Sequence, residues 1–403
     1  MADAQGGALR TPGLEDAPVV VYVQQLLEQA VAQQASDLHF EPYESFYRVR
    51  LRIDGHLREV AQVPEVFRER LAARIKVMAR LDVAEKRLPQ DGRILMPTTQ
   101  GQKLDLRVST LPTLFGEKVV VRLLDTRAQQ LQLAQLGYEA DDLQQLEATI
   151  RRPHGMVLVT GPTGSGKTQS LYACLHQLNT PAVNIATVED PCEIQLDGIN
   201  QVNVQDKPGL SYAVVLRAFL RQDPDVLMVG EIRDLETAQI AVQAAQTGHL
   251  MLSTLHTNDA PSTLVRLRNM GVAGYNLAAS VSLVTAQRLV RTLCSACKQR
   301  HSLPAQALRQ AGWPEPLQGE DVGVYKPVGC SACHQGFRGR TGIFQVMPMS
   351  PALQTLVLQD ANGLALTAQA QREGMRSLRE AGLRKVLAGL TCLDEVLAAT
   401  GAD

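Results

Sequence analysis

The eight residues Gly161-Pro162-Thr163-Gly164-Ser165-Gly166-Lys167-Thr168, directly after the apolar run Met156 to Thr160, constrain this chain more than any others. A G-x-x-x-x-G-K-T sequence between a strand and a helix is a phosphate cradle. Its glycines let the backbone curl until successive N–H groups converge on an anion, and the following helix adds its positive end. Lys167 reaches the β and γ phosphates and Thr168 can ligate Mg²⁺. The context fits, because Met156 to Thr160 reads as a buried strand and residues from about Lys167 to Leu178 read as a helix. Strands and helices then alternate to about residue 290, which predicts an α/β fold with a parallel sheet covered by helices.

Hydrolysis of a bound triphosphate needs acids at neighbouring strand ends. In VNIATVEDP the strand Asn184 to Val188 ends at Glu189 and Asp190; in DVLMVGEIRD the strand Asp225 to Val229 ends at Gly230 and Glu231. Open α/β sheets bind ligands at the carboxyl edge, where both acids fall. We assign Glu231 as the base that activates water and Glu189 as the helper on the metal side, two roles that sequence alone does not separate. The bland alternative for either is a solvated loop carboxylate. His249 and His256 flank the strand Leu250 to Leu255; lone histidines are usually structural, but a pair around such a strand reads as a γ-phosphate sensor.

Seven cysteines, an odd number with four in two C-x-x-C pairs, fit metal binding in a reducing compartment better than a disulfide framework. Cys294, Cys297, Cys330 and Cys333 offer four thiolates for tetrahedral Zn²⁺, leaving no open position for catalysis. The site is therefore structural, and residues 298–329, with Pro304, Trp313-Pro314 and Gly319, form an excursion stapled at its base. Cys174, Cys192 and Cys392 read as core residues.

A 403-residue chain has material for two or three domains. Residues 1–14 read as a flexible tail, and residues 15–126 as a small α/β domain. Within that domain a helix is expected from Ala17 to Ala35 and another from Phe67 to Leu81. Val49, Leu51 and Ile53 alternate with Arg48, Arg50 and Arg52 before a turn at Asp54-Gly55, the pattern of a half-buried strand. A Gln-rich linker covers 127–134, and the larger domain runs over 135–403, with the zinc-binding excursion at 291–340 and a helical cap at 350–403. Acidic and basic residues nearly cancel, 41 against 40, and aromatics are 4%, which argues against direct nucleic-acid binding. With no apolar run long enough to span a bilayer, the chain reads as cytoplasmic.

Taken together, the Walker A loop, the acidic box EDP, the strand ending GEIRD and the histidine box resemble the GspE/PilB-type secretion ATPases, from about residue 15 to the C-terminus. SDLHFEPYESFYRVRLRIDG, TLPTLFGEKVVVRLLD and STLHTNDAPSTLVRLRNMGV are most similar to the branch that extends type IV pili, AQRLVRTLC fits either branch, and retraction ATPases generally lack the two C-x-x-C pairs. The resemblance implies a RecA-like P-loop domain, a PAS-like small domain, ATP as the nucleotide and a homo-hexamer. It also implies a place at the inner face of the bacterial inner membrane, held there through partners, where ATP hydrolysis drives a platform protein. Arg107, Arg122, Arg217 and Arg221 are the arginines it implies for charge neutralisation across an interface, with Arg93 and Arg340 as weaker candidates. Members of both branches usually carry a further amino-terminal domain, and this chain starts close to the second one. The alternatives are a type II secretion ATPase and an inactive nucleotide-binding scaffold.

Overall fold

A computed structural model of the chain describes residues 18–97, 103–123, 132–205, 209–313, 319 and 321–401. The tail at 1–14, most of the linker at 127–134 and Pro314 lie outside the described residues. The chain divides into two units, Met1–Thr126 and Arg127–Asp403.

In the first unit, α1 (Pro18–Ala32) buries Tyr22, Val23, Leu26, Leu27 and Ala30, and α2 (Arg68–Met78) buries Leu71, Ala72 and Ile75, each a three-and-four-residue stripe. These stripes share one core with a six-stranded antiparallel sheet. Its strands are β1 (Asp37–Pro42), β2 (Tyr47–Ile53), β3 (His56–Gln62), β4 (Gln90–Pro97), β5 (Lys103–Thr113) and β6 (Gly116–Leu123), in the order β3-β2-β1-β6-β5-β4. Asp54 (φ 49°) and Gly55 (φ 89°) make the tight turn between β2 and β3, both in the left-handed region that such hairpins require. Alternation sends Leu38, Phe40, Val49, Leu51, Val119 and Val121 to the core. On the opposite face, cross-strand register aligns Arg52, Asp37, Arg122, Arg107 and Arg93 in one row.

The second unit is built on a seven-stranded sheet of β7 (Gly155–Thr160), β8 (Ile185–Glu189), β9 (Asn200–Asn203), β10 (Val226–Val229), β11 (Leu250–Leu255), β12 (Val281–Leu293) and β15 (Phe337–Pro348). The order is β15-β12-β7-β11-β10-β8-β9; the first six in chain order are parallel and β15 is antiparallel to β12. The strands β7, β8, β10 and β11 are buried throughout, as strands covered on both faces must be. Met156 and Leu158 face one core with α5 (Tyr212–Phe219), α6 (Leu235–Gln246), α7 (Ala260–Asn269) and α8 (Gly274–Ser280). Val157 and Val159 face the other, with α3 (Ala140–Ile150) and α4 (Lys167–Leu178). This is the α/β, RecA-like P-loop arrangement, in which β11 separates the phosphate-loop strand β7 from the acidic strand β10.

Between β12 and β15 the chain leaves the sheet to form the antiparallel pair β13 (Gln299–Pro304) and β14 (Asp321–Lys326), with α9 (Ala305–Gln310) between them. The C-terminal helices divide their packing. Those at Pro351–Leu358 (α10) and Gly363–Arg372 (α11) join the main core, whereas those at Leu378–Leu387 (α12) and Leu393–Thr400 (α13) pack with Leu308, Trp313 and Val324 of the excursion.

Candidate nucleotide site and tetracysteine cluster

The loop between β7 and α4 takes its shape from three glycines with positive φ, at Gly161 (146°), Gly164 (81°) and Gly166 (89°). Gly161 also has no room for a side chain, since a Cβ there would stand 2.5 Å from Ser165 Oγ and 2.6 Å from the Gln287 carbonyl oxygen. Lys167 Nζ folds back to donate to the carbonyls of Gly161 (2.9 Å) and Pro162 (3.1 Å). Burial pushes its pKa down, opposed by the nearby Glu231 carboxylate and reinforced by Arg288. Ser165 Oγ is buried without a hydrogen-bond partner, and Pro162, Thr163, Gly164 and Thr168 are exposed. A curled run of glycines and an inward lysine are groups that a polyphosphate satisfies.

Sheet register brings the other candidates to the same edge. Leu255 lies beside Thr160, Ser253 beside Val229 and Val229 beside Val188. Asp190, Glu231, His256 and Gly161 therefore follow the carboxyl ends of adjacent parallel strands. Glu231 accepts a hydrogen bond from Arg233 and has His256 Nε2 at 3.4 Å. The Arg233 guanidinium holds the Glu231 carboxyl below its ordinary pKa against the opposing effect of burial. Arg233 also reaches Asp190 at 3.4 Å.

Glu189 sits differently. It is buried, and its two oxygens accept from Tyr172 Oη, Thr187 Oγ1 (2.7 Å) and Gln201 Nε2 (3.2 Å). Its carboxylate thus braces α4, through Tyr172, against β8, and burial followed by Glu189 itself raises the Tyr172 pKa. His249 is at the far end of β11: its carbonyl accepts from the Gly155 amide at 3.1 Å and its Nδ1 lies 2.9 Å from the Ala244 oxygen. Some 23 Å of extended strand separate it from His256. The structure does not bring the two histidines together.

Arg217 on α5 pairs with Glu236 at 2.8 Å, and Arg221 donates to the Arg217 carbonyl; both are exposed. In the first unit, Arg122 donates to Asp37 at 3.1 Å and Arg93 pairs with Asp105 at 3.2 Å, with Arg107 between them in the cross-strand row. Like charges directly opposite on neighbouring strands are destabilising, and here Asp37 and Asp105 offset Arg122 and Arg93.

Two residues of β12 escaped the sequence reading. Gln287 is buried; its Nε2 donates to the Ser165 carbonyl (2.8 Å) and its Oε1 accepts from Ser170 Oγ (2.8 Å). Arg288 donates to the carbonyl (3.1 Å) and Oδ1 (3.2 Å) of Asn258, tying β12 to the loop that carries His256.

The sulfurs of Cys294, Cys297, Cys330 and Cys333 lie within 4.8 Å of one another. Tetrahedral Zn²⁺ with ~2.3 Å bonds sets its sulfurs ~3.8 Å apart. The Cys294–Cys330, Cys297–Cys333 and Cys330–Cys333 distances are 3.9, 3.6 and 3.6 Å. Backbone N–H groups of Gly329 and Cys330 point at the sulfurs of Cys297 and Cys333, both at 3.3 Å. The donor set fits zinc, and it lies where the end of β12, at Leu293, meets the start of β15, at Phe337.

The model of the Type II/IV secretion system protein family matches residues 13–398. The chain is 54% identical over 382 residues to the type IV pilus assembly ATPase PilB of Pseudomonas aeruginosa, covering 95% of this chain and 67% of that protein. It is 47% identical over 387 residues to the type II secretion system ATPase E of Vibrio cholerae, covering 96% of this chain and 76% of that protein. Among solved structures, the Legionella pneumophila ATPase DotB matches with a TM-score of 0.70 at 18% identity over 96% of this chain and 97% of that chain, a likeness of fold. No helix among the described residues is long and apolar enough to cross a membrane.

Proposed function

Because the chain belongs to the Type II/IV secretion system protein family and is an ATPase, we propose that it assembles a type IV pilus. It does so as a homo-hexamer at the inner face of the inner membrane, where ATP hydrolysis drives a platform protein. The observation that carries this reading is the convergence of Lys167, Glu231 and His256 on one sheet edge beside the glycine loop. Lys167 would exchange its two loop carbonyls for phosphate oxygens, and Thr168 would hold Mg²⁺, which supplies charge neutralisation there. Glu231 accepts the proton of the attacking water, and His256, beside it, senses the γ-phosphate. Arg107, Arg122, Arg217 and Arg221 neutralise transition-state charge from across an interface, a contribution of about 10³-fold or more where such arginines act. Glu189 serves this site by fixing α4 and leaves Asp190 as the solvent-facing acid of its pair. Zn²⁺ on the four cysteines is structural.

Pilus assembly is favoured over type II secretion by the higher identity to the pilus-assembly relative, 54% against 49% for the type II secretion system protein HxcR of the same Pseudomonas aeruginosa strain. The test is steady-state ATP hydrolysis by the wild type beside Glu231→Gln, with mass measured by light scattering in Mg²⁺ and ATP. We expect hexamers in both and a turnover at least about 10²-fold lower in the variant. A monomer whose slow turnover is unchanged by the substitution overturns the motor reading.

A further inference from the structure

The phosphate loop has a support that the known chemistry of such loops does not require. We propose that Gln287 is a positioning residue for nucleotide binding, setting the loop's curvature by a pair of hydrogen bonds at its back. This rests on the nucleotide site described above and assigns it a residue outside the glycine loop and the acidic strands.

Three observations carry it. Gln287 is 1% exposed, so its amide has no water to fall back on. Both ends of that amide are used on the loop and its helix: Nε2 on the Ser165 carbonyl and Oε1 on the Ser170 hydroxyl, each at 2.8 Å. Its own carbonyl oxygen lies directly under Gly161, and its Nε2 would be 3.3 Å from a Cβ on Gly166. The first and third glycines of the cradle therefore rest on one residue of the adjacent strand. Holding the Ser165 carbonyl outward, toward β12, leaves the N–H groups of the loop to point inward at the phosphates. A buried amide with both partners satisfied fixes geometry more narrowly than an apolar residue of the same size can.

The test compares ATP affinity, relative to the wild type at each pH, with the melting temperature of the nucleotide-free protein. Gln287→Met keeps the volume and removes both bonds, so Kd for ATP should rise about tenfold to a hundredfold. Gln287→Glu keeps the acceptor for Ser170, but when ionised it cannot donate to the Ser165 carbonyl. A carboxyl in this buried place titrates above its ordinary range, and its protonated form donates where the amide did. The affinity deficit of Gln287→Glu should be full at pH 8.5 and largely recovered at pH 6, while that of Gln287→Met is the same at both. A residue that merely fills space predicts no recovery. Two results overturn the proposal: Gln287→Met binding ATP within twofold of the wild type, or a Gln287→Glu deficit equal at both pH values. If Gln287→Met does not fold, the two-pH comparison of Gln287→Glu decides alone.

Discussion

The least expected charge in the first unit is the buried pair between Lys76 and Glu117. Glu117 extends the core-facing series Val119 and Val121 of β6, and Lys76 stands next to the core residue Ile75 on α2. Their side chains are 0% and 6% exposed, with Nζ to Oε1 at 2.7 Å. Lys76 Nζ also donates to the Glu85 carbonyl at 2.6 Å, which fixes the segment leading into β4. Lys76→Met preserves much of the side chain's length and removes the cation, leaving a carboxylate buried and the Glu85 carbonyl with Gln90 Nε2 as its remaining donor. Breaking a buried pair from one side costs about 3–5 kcal/mol. At 1.4 kcal/mol per factor of ten this is roughly a 150- to 4,000-fold loss of amide protection. The assay is hydrogen exchange read by mass spectrometry on β5 and β6 peptides, which reports on the first unit directly, whereas the single tryptophan, Trp313, lies in the second. The double variant Lys76→Met/Glu117→Leu replaces the pair with apolar groups and should return to within about tenfold of the wild type. A single variant that loses less than tenfold, or a double variant as unprotected as the single, would refute the reasoning. Under the proposed reading the outcome bears on function, since β5 and β6 carry Arg107 and Arg122.

Two further outcomes follow from the second unit. Arg233 depresses the Glu231 pKa below its ordinary value, so Glu231, the proposed base, stays ionised to lower pH than a free glutamate. Arg233→Gln removes the larger effect and leaves burial to raise the pKa, so the acidic limb of the kcat/KM profile should move up in pH; an unmoved limb excludes Glu231 as the titrating base. At the cysteines, elemental analysis should find a single zinc per chain. Its removal by a chelator should raise exchange at the ends of β12 and β15, whereas unchanged exchange on metal loss means that the cluster does not hold those strands.

Much of the nucleotide site was legible because its signal is local. Gly161 to Thr168 must curl wherever they sit, and the short run Met156, Val157, Leu158 and Val159 before them, ended by glycine, reads as a covered strand. The first unit showed itself through Arg48, Arg50 and Arg52 alternating with Val49, Leu51 and Ile53, and through Asp54-Gly55, a pair that tolerates left-handed backbone at both positions. Strand β4 carried no such signal: it opens on Gln90, Asp91, Gly92 and Arg93 and leaves Leu95 72% exposed, as an edge strand can. The pairing of β12 with β15 was hidden by the inserted excursion, since no local pattern joins Arg288 to Ile343.

The proposed division of labour between Glu189 and Glu231 depends on an alternation that sequence shows only once the strand's two surroundings are known. Glu189 and Asp190 are consecutive, so one must face the layer of α4 and the other must leave the sheet. Tyr172, Thr187 and Gln201 decide which: they supply three donors on the buried side, and a carboxylate so engaged is poorly free to move a proton. Glu231 follows β10 by two residues, where the chain has already left the sheet, and its partners Arg233 and His256 belong to exposed loop positions that can rearrange. The same argument explains why Gln287 was missed. On a half-buried strand a glutamine between Ala286 and Arg288 points to water, but β12 is covered on both faces at this level, and Thr285, Ala286 and Gln287 are all buried. A polar residue in such a strand must find partners within the protein, and the ones Gln287 finds are the loop and helix that hold the phosphates.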